Sequence, residues 1–383
     1  MIVSYFFSSP EGDVLADDAT LARPFIVRPF ETHPFLTLYD YFAAITDFIL
    51  REGWQRIALL LSRKWGGKVK PDIIERVLIR YEKYGTLYQI ASATIVAGER
   101  QATFTVTTAM SPSAKETLDL EFDLLQELNL LRRPSYLPEV FYKETVTIQR
   151  PEGSETFLMT LSEWFEDFHE WHFSKDKDGN ERIVVWDMGG GFRFAAEQEA
   201  YDIIRQASMI LTLHFRLDDY RHISPWHHGA GDFVVRSLGE RVEVRMVSAR
   251  GYGPIAPFTG EAKAGPLQAL FLFLLNTSVK MRLDKQEGTG EPYWAEAGVL
   301  DPTLKGFFEA LKIRESEEDA KSITVDDFSR FLLSLSEDSI RTILAEHLKE
   351  YRLYDPSDAA FVQGHVDEHA ADLHRAIGSF FSE

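Results

Sequence analysis

The chain has 383 residues, of which 45% are apolar and 13% aromatic, so it is long enough for two lobes and can bury a large core. A disordered chain has the opposite composition. A formal net charge of −19 opposes binding to nucleic acids and anionic membranes, and the absence of cysteine excludes disulfides, thiolate zinc sites and thiol nucleophiles.

The apolar segments do not indicate a membrane protein. The most apolar stretch, residues 267–279, is shorter than the roughly 20 residues that cross a bilayer, and Gln268 and Asn276 interrupt it. It therefore predicts a buried helix. The N-terminus lacks the basic start and long apolar run of a secretory signal. We expect a soluble, cytoplasmic protein with neither a membrane nor a nucleic-acid partner.

The first 86 residues are predicted to be mainly helical. Residues 1–35 are rich in Pro and Phe and indicate irregular structure with one strand. Apolar residues recur every three to four positions over residues 36–64, which predicts a helix that a Gly-Gly pair ends. Pro71 suits the first turn of a second helix, predicted to end near Gly85.

The period then changes to that of strands. Residues 87–96 and 102–109 are rich in Thr, Val, Ile and Ala and predict a hairpin. Ser113 and Glu116 have the spacing of a capping box, which predicts a helix from there to about Arg132. Further β segments are predicted at residues 140–148 and 156–161 and as a hairpin over residues 173–186.

The rest of the chain is predicted to be mainly helical, after a flexible link at Gly189–Gly191. An amphipathic pattern predicts a long helix over residues 197–219. A loop rich in His and Gly follows, and then two strands at residues 232–236 and 242–247. Five helices are predicted beyond Pro266, at residues 267–282, 302–312, 325–335, 337–351 and 356–380. Segregated strands and helices favour an α+β fold.

This order of elements resembles the protein-kinase-like fold, in the style of aminoglycoside-phosphotransferase-type small-molecule kinases. The resemblance covers about residues 87–283. It implies a two-lobed architecture in three parts: an N-terminal helical extension that the basic fold lacks, a β-rich small lobe with one long helix, and a helix-rich large lobe. The parts are predicted at residues 1–86, 87–165 and 166–383.

The resemblance assigns cofactor contacts to the small lobe and the segment after it. Glu121 lies on the apolar face of the helix, where a carboxylate needs a partner unless it lies at the edge of that face. In the kinase fold the equivalent Glu pairs with a strand lysine, but residues 104–109 contain none. Glu163 and Trp164 begin the expected lobe connection, whose aromatic residues either line a ligand pocket or pack between the lobes.

A second part of the resemblance lies in residues 225–235, Pro-Trp-His-His-Gly-Ala-Gly-Asp-Phe-Val-Val. They are similar to the kinase catalytic loop and the strand after it. His227 stands where the family has its catalytic Asp, and Asp232 stands where it has the metal-binding Asn. An imidazole accepts a proton near neutral pH, so both are candidate catalytic residues. The alternative is a polar loop capped by its own histidines.

The family's second metal-binding Asp is replaced, because Ser248 or Ala249 occupies its position. Without that Asp, Mg²⁺ loses a principal ligand. We expect Arg250 to neutralise phosphate directly, and we assign it, Trp226 and His228 as candidate substrate-binding residues. The resemblance implies ATP with Mg²⁺ as the cofactor. The residues themselves predict no certain cofactor and no metal ligand.

Since the lysine and both acids are replaced, we predict a binding or regulatory pseudokinase-like protein with a cleft between its lobes. Its partner would be a small molecule or a protein. One alternative is an ATP-dependent small-molecule phosphotransferase that uses His227 as base and Asp232 as metal ligand. Another is a metal-dependent hydrolase built on the cluster His222, His227, His228 and Asp232.

Three other features are given structural interpretations. Residues 365–369 fit the His-x-x-Glu-His signature of inverted zinc proteases, but the third ligand is lacking, so a solvated helix face is expected. Residues 176–180 resemble the start of a calcium loop, but the sixth position is Glu181, so a hairpin turn is expected. His214 lies on an apolar helix stripe and is predicted to be a core residue with a hydrogen-bond partner.

Overall fold

The structure is a computed structural model that describes residues 2–9, 12–28, 31–85, 87–187, 191–228, 231–239, 241–255, 264–285, 290–316, 323–351 and 356–382. Gly189 and Gly190 of the predicted link and Gly229 and Ala230 of the candidate loop lie outside these residues. The described residues form two compact units. Unit 1 falls within Met1–Leu130, Pro138–Glu166 and Met188–Gly191, and unit 2 within Leu131–Leu137, Asp167–Asp187 and Phe192–Glu383.

Unit 1 is built on a seven-stranded sheet. Its elements are β1 (Ile2–Phe7), β2 (Val14–Leu15), α1 (Asp18–Leu21), β3 (Pro24–Arg28), β4 (Glu31–Thr37), α2 (Leu38–Leu50), α3 (Gln55–Trp65), β5 (Arg76–Tyr84), β6 (Tyr88–Ala97), β7 (Arg100–Ala109), α4 (Pro112–Leu131), β8 (Val140–Arg150) and β9 (Gly153–Glu163). The strand order is β2-β1-β5-β6-β7-β9-β8, in which β1 and β5 are parallel and the other neighbours antiparallel. Strands β3 and β4 form a separate hairpin.

Helices cover both faces of the seven-stranded sheet. Side chains alternate between the faces along each strand, so Val106 and Phe157 join α2 and α3 in one large core. Leu158, the next residue along β9, packs on the other face with Ala114 and Leu118 of α4. The sheet is therefore sandwiched between the N-terminal helices and α4.

The single helix predicted for residues 36–64 is two helices. A capping box starts α2: the Asp40 N–H donates to the Thr37 hydroxyl at 3.4 Å, and the Thr37 N–H donates to the Asp40 carboxylate at 2.8 Å. Glu52, Gly53 and Trp54 then have φ values of 58°, 62° and 70°. These left-handed residues end the first helix and turn the chain into α3.

The prediction of a helix from Pro71 to Gly85 is wrong. Within it only Pro71–Ile73 forms a short 3₁₀ turn, and the chain then continues as β5. Val77 and Ile79 are buried at a spacing of two, which is the period of a strand. The prediction of a mainly helical segment over residues 1–86 is therefore also wrong, since it contains strands β1 to β5.

The next predictions are confirmed in unit 1. The predicted hairpin is β6 and β7, and the next two strands are β8 and β9. The predicted helix is α4, although its cap lies two residues earlier: the Ala114 N–H donates to the Ser111 hydroxyl at 3.2 Å, and Pro112 occupies the first turn.

Unit 2 combines a smaller sheet with helices. Its elements are β10 (His169–Lys175), β11 (Glu181–Asp187), β12 (Gly191–Phe194), α5 (Glu197–Leu213), β13 (Arg221–Ile223), β14 (Phe233–Leu238), β15 (Arg241–Met246), β16 (Tyr252–Pro254), α6 (Pro266–Arg282), β17 (Leu283–Lys285), β18 (Pro292–Trp294), α7 (Leu300–Ser316), α8 (Val325–Ser334), α9 (Glu337–Tyr351), α10 (Pro356–Gln363) and α11 (Val366–Phe380). The sheet order is β12-β11-β10-β14-β15, and β13-β16 and β17-β18 are separate pairs.

The helices of unit 2 form its core. Helix α6 is buried almost all round, which confirms the interpretation of its apolar run. Helices α5 and α7 approach closely at Gly306, where an added Cβ atom would overlap the Arg205 carbonyl oxygen. The Ser208 hydroxyl donates to the Thr303 carbonyl at 2.7 Å across the same contact. Of the described helices, none is long and apolar enough to cross a membrane.

The segment Leu131–Leu137 belongs to unit 2 although unit 1 precedes and follows it in the chain. The Ser135 carbonyl lies 2.7 Å from Nε2 of the buried His214, and the Met246 N–H donates to the Tyr136 carbonyl at 3.0 Å. The prediction that His214 is a core histidine with a partner is confirmed. The described residues as a whole form the mixed α+β structure that the sequence indicated.

Candidate functional site

The loop that contains the motif residues Trp226, His227, His228 and Asp232, called the candidate loop, lies beside a second loop in unit 2. The described residues 224–228 and 231–232 precede β14, and residues 247–251 follow β15. Because β13 pairs with β16 and β14 with β15, these two segments run side by side. The Ser224 N–H donates to the Gly251 carbonyl at 3.0 Å, and the Val247 N–H donates to the Asp232 carbonyl at 2.9 Å. Strand pairing thus brings together residues that are up to 27 positions apart.

Asp232 is the centre of this region, and its side chain is only 1% exposed. Its Oδ2 atom accepts hydrogen bonds from the His227 main-chain N–H at 2.8 Å and from Arg250 Nη1 at 3.1 Å. Its Oδ1 atom accepts hydrogen bonds from the Ser248 hydroxyl at 2.8 Å and from Arg250 Nη2. Each carboxylate oxygen therefore receives two donors, and the guanidinium balances the charge as a bidentate pair.

The hydrogen bond from His227 to Asp232 is donated by the main-chain N–H and not by the imidazole ring. Its imidazole is half-buried, and burial, followed by the charges of His228 and Lys280, lowers its pKa to about 3. The ring is therefore neutral at physiological pH and is a far weaker base than an ordinary histidine. A general base works best when its pKa lies near the working pH.

His228 lies next to His227 in the chain but has other partners. It is fully buried, with Nε2 3.1 Å from the Lys280 carbonyl and Nδ1 3.4 Å from Asp284 Oδ2. Its ring stacks on Trp171, with centroids 4.9 Å apart and an interplanar angle of 12°. These contacts fix the loop against β10, α6 and β17.

Trp226 is equally buried. The Lys280 ammonium donates to the Trp226 carbonyl at 2.9 Å and lies 5.5 Å from the centre of the indole ring. Trp226 and His228 are 1% and 0% exposed, so a ligand would reach them only after the loop opened. Of the three candidate substrate-binding residues, Arg250 is the accessible one, at 24% side-chain exposure.

Gly231 explains how the loop turns into β14. Its φ is +71°, and a Cβ atom at this position would lie 2.7 Å from Glu170 Oε1 on β10. Both the left-handed backbone and this close approach require glycine. The backbone conformation and the packing against Glu170 therefore explain why the motif has glycine at position 231.

Asp284 is a buried residue of this region that the sequence did not indicate. Its carboxylate accepts hydrogen bonds from the Phe173 N–H at 2.8 Å and from the Lys285 N–H at 2.7 Å. His172 Nδ1 lies 4.0 Å from Asp284 Oδ1, whereas His228 Nδ1 lies near the other oxygen, Oδ2. Burial opposes the charged form of Asp284. The charge of His228 and the hydrogen bonds that the carboxylate accepts nevertheless lower the pKa of Asp284 well below its ordinary value. Asp284 belongs to no recognisable motif, so no sequence signal marked it.

The candidate cofactor residues lie in unit 1. Glu121 is buried on α4. Glu163 ends β9, and its carboxylate accepts the Glu139 N–H at 3.2 Å. Trp164 follows it and is half-buried. His227 and Asp232 belong to unit 2, so the two sets of candidates fall in different units.

The cluster proposed for a hydrolytic metal does not converge. His222 Nδ1 lies 3.0 Å from the Gly253 carbonyl, and burial lowers the pKa of this histidine to about 4. His228 faces Asp284, whereas Asp232 is bonded to Arg250. Within the part of the chain that the structure describes, no group of three or more His, Asp or Glu side chains is placed to hold a metal ion.

The residues around Asp232 also do not fit Mg²⁺, which binds oxygen ligands that have a free lone pair. The carboxylate already accepts four hydrogen bonds, and Arg250 brings a positive charge to the position a cation would take. Ser248 is the neighbouring side chain where the resemblance implies a second acid. No step of a reaction is therefore assigned to a metal here.

The zinc-protease signature on α11 has a structural role. His369 is fully buried, with Nε2 3.0 Å from the Ser278 hydroxyl, so the expected solvated face is wrong for this residue. Glu368 accepts a hydrogen bond from Arg282 at 2.8 Å, and His365 stacks on Trp294 with centroids 4.7 Å apart. His369 also contacts Trp294, edge-on with centroids 5.7 Å apart, so both histidines of the signature pack against the same indole ring.

The calcium-like segment is a hairpin turn between β10 and β11, as expected. The Asp176 carboxylate accepts the N–H groups of Asp178 and Asn180, each at 2.9 Å. Such an Asx turn satisfies the carboxylate locally.

No model of a known protein family matches the chain, and no curated protein matches its sequence.

Proposed function

We propose that the chain is a binding or regulatory protein on a protein-kinase-like scaffold and does not carry out ordinary phosphotransfer. The observation that carries this proposal is the environment of His227. It stands at the position of the catalytic base, yet it offers Asp232 its main-chain N–H, and its pKa is lowered to about 3. A phosphotransferase base would have to accept the proton of a substrate hydroxyl.

The order of elements supports the scaffold. Hairpin β6-β7, helix α4 and strands β8 and β9 are followed by helix α5, the candidate loop, the pair β14-β15 and the buried helix α6. Strand β9 pairs with both β7 and β8, so the polypeptide of α4 joins two strands that are not neighbours in the sheet. These elements correspond to those on which the resemblance rests.

The lost chemical groups support the absence of phosphotransfer. Strand β7 carries no lysine, whereas the family places a lysine on this strand. Asp232, the acid that remains in the loop, is held by four hydrogen bonds. A protein with these replacements keeps the fold and acts through what it binds, which we propose is a small molecule such as a nucleotide, or a protein.

Thermal unfolding with ATP, ADP and GTP, each with and without Mg²⁺, tests the proposal. A ligand that binds only the folded state raises stability by about 2.7 kcal/mol at one hundred times its dissociation constant. We expect a rise in Tm that does not depend on Mg²⁺, together with no ATP turnover above a heat-inactivated sample.

Turnover of ATP by the wild-type protein that is lost in both His227→Ala and Asp232→Ala would overturn the proposal in favour of an active phosphotransferase. A matched control is His374→Ala, because His374 is exposed on α11. Absence of any nucleotide effect would move the proposed ligand to a protein or to another small molecule.

A further inference from the structure

We propose that the Arg250 guanidinium is the built-in counter-cation of Asp232 and excludes divalent cations from it, so that loss of the guanidinium creates a cation site. The inference concerns Asp232, Arg250 and Ser248 alone. It does not depend on whether the chain binds a nucleotide, and the metal ion alone tests it.

The first argument is charge. Asp232 is almost completely buried, and a buried carboxylate is stable only with a positive partner or with its proton. His227 and Ser248 donate hydrogen bonds to it as neutral groups, whereas Arg250 supplies the positive charge. Among the described residues Arg250 is the cation paired with Asp232, so removal of its charge leaves an uncompensated carboxylate that attracts another cation.

The second argument is geometry. The two terminal nitrogens of Arg250 bond to different oxygens of Asp232, so the guanidinium spans the open side of the carboxylate. An ion that approached both oxygens would occupy the same position. The guanidinium and a divalent cation are therefore mutually exclusive partners of this carboxylate.

The third argument is the chemistry of the surrounding donors. The Ser248 hydroxyl lies 2.8 Å from Asp232 Oδ1, so a carboxylate and a hydroxyl oxygen are adjacent. Mg²⁺ and Mn²⁺ prefer such hard oxygen ligands and complete their coordination with water. Arg250 is partly exposed, which gives water and ions access to its position once a shorter side chain replaces it.

The experiment is a titration with Mn²⁺ alone, in which electron paramagnetic resonance measures the free ion. The wild-type protein is expected to bind no Mn²⁺ at Asp232, and Arg250→Lys, which keeps a positive charge, should behave in the same way. Arg250→Gln keeps one donor to the carboxylate without the charge and should bind one more Mn²⁺ per chain than the wild-type protein. The double variant Arg250→Gln/Asp232→Asn should lose that site.

Two results would overturn the inference. One is a wild-type site that Asp232→Asn removes, since the carboxylate would then be available beside its arginine. The other is an Arg250→Gln protein that is folded by circular dichroism and binds no additional Mn²⁺. If Arg250→Gln fails to fold, Arg250→Ala, which leaves space for a hydrated ion, is titrated and has the same two outcomes.

Discussion

His228 Nδ1 lies 3.4 Å from Asp284 Oδ2, and both side chains are completely buried. Four elements meet at this contact: the candidate loop, β10, α6 and β17. His228 connects the loop to Asp284 on β17, whereas Asp232 connects it to Arg250 in the segment after β15. The described residues of the loop are thus in contact with two separate buried carboxylates, Asp232 and Asp284.

Asp284→Asn should be strongly destabilising. It keeps the shape of the side chain but replaces one acceptor oxygen by an NH2 group, so the N–H of Phe173 or of Lys285 loses its acceptor, and a buried donor left without an acceptor costs about 1–3 kcal/mol. Urea unfolding at pH 7 measures the loss. Asp367→Asn is the matched control, because the Asp367 side chain is 88% exposed beside Arg341 and such pairs contribute about 0–1 kcal/mol. Equal effects of both substitutions would contradict the role of the buried carboxylate.

Stability should fall as the pH is lowered from about 6.5 towards 4. Burial lowers the pKa of five histidines to about 3 or 4: His214, His222, His227, His347 and His369. Their folded pKa lies below the unfolded value of 6.5, so the unfolded chain takes up protons first, and the stabilisation is present above 6.5 and is lost on acidification.

One of these histidines can be tested separately. His369→Gln keeps a polar partner for Ser278 but removes the ionisable ring. It should reduce the slope of stability against pH by up to about 1.4 kcal/mol per pH unit in this range, which is the effect of one proton. Urea unfolding at a series of pH values gives the slope, and an unchanged slope would show that this ring does not resist protonation in the fold.

Gly231→Ala should destabilise the loop for two reasons. The left-handed backbone costs a residue with a Cβ about 1–2 kcal/mol, and the new methyl group would collide with Glu170. Gly98→Ala is the control for backbone strain alone, because φ there is +62° and a Cβ meets nothing within 4 Å. A loss of stability at Gly231 no greater than at Gly98 would show that the approach of Glu170 has no cost.

Gly306→Ala should be among the most damaging small substitutions in unit 2. The added methyl group would overlap the Arg205 carbonyl oxygen and force α5 and α7 apart, and overpacking of this kind costs about 1–3 kcal/mol or more. Gly378→Ala on α11 is the matched control, since nothing lies within 4 Å of its Cβ and alanine favours a helix by roughly 0.5–1 kcal/mol. Opposite changes in Tm are therefore expected, and a similar fall in both would refute the close crossing.

The parts of the fold that sequence patterns predicted are those with local signals. The hairpin β6-β7, the capped helix α4 and the buried helix α6 each have a clear period or a cap within a few residues. Strand β5 was predicted as a helix because Pro71 suits a helix start, whereas the strand exists through pairing with β1 and β6. Tertiary pairing overrode a local signal in that case.

The candidate site was predictable to a similar extent. The sequence singled out His227, Asp232 and Arg250 individually. It did not predict that Arg250 bonds to Asp232, because the two are 18 positions apart and meet only when β14 pairs with β15. Asp284 was missed because a single Asp at the end of a helix has no pattern, and its role depends on His172 and His228 being brought to it by folding.

The assignment of Leu131–Leu137 to unit 2 determines how the chain can be divided. A fragment that ended at Glu166 would carry this segment without His214 and Met246, to which Ser135 and Tyr136 are bonded. A fragment that began at Asp167 would leave a buried imidazole and a main-chain N–H without their acceptors. Separate production of the two units therefore requires circular permutation or a grafted copy of the heptapeptide, since no single cut releases both intact.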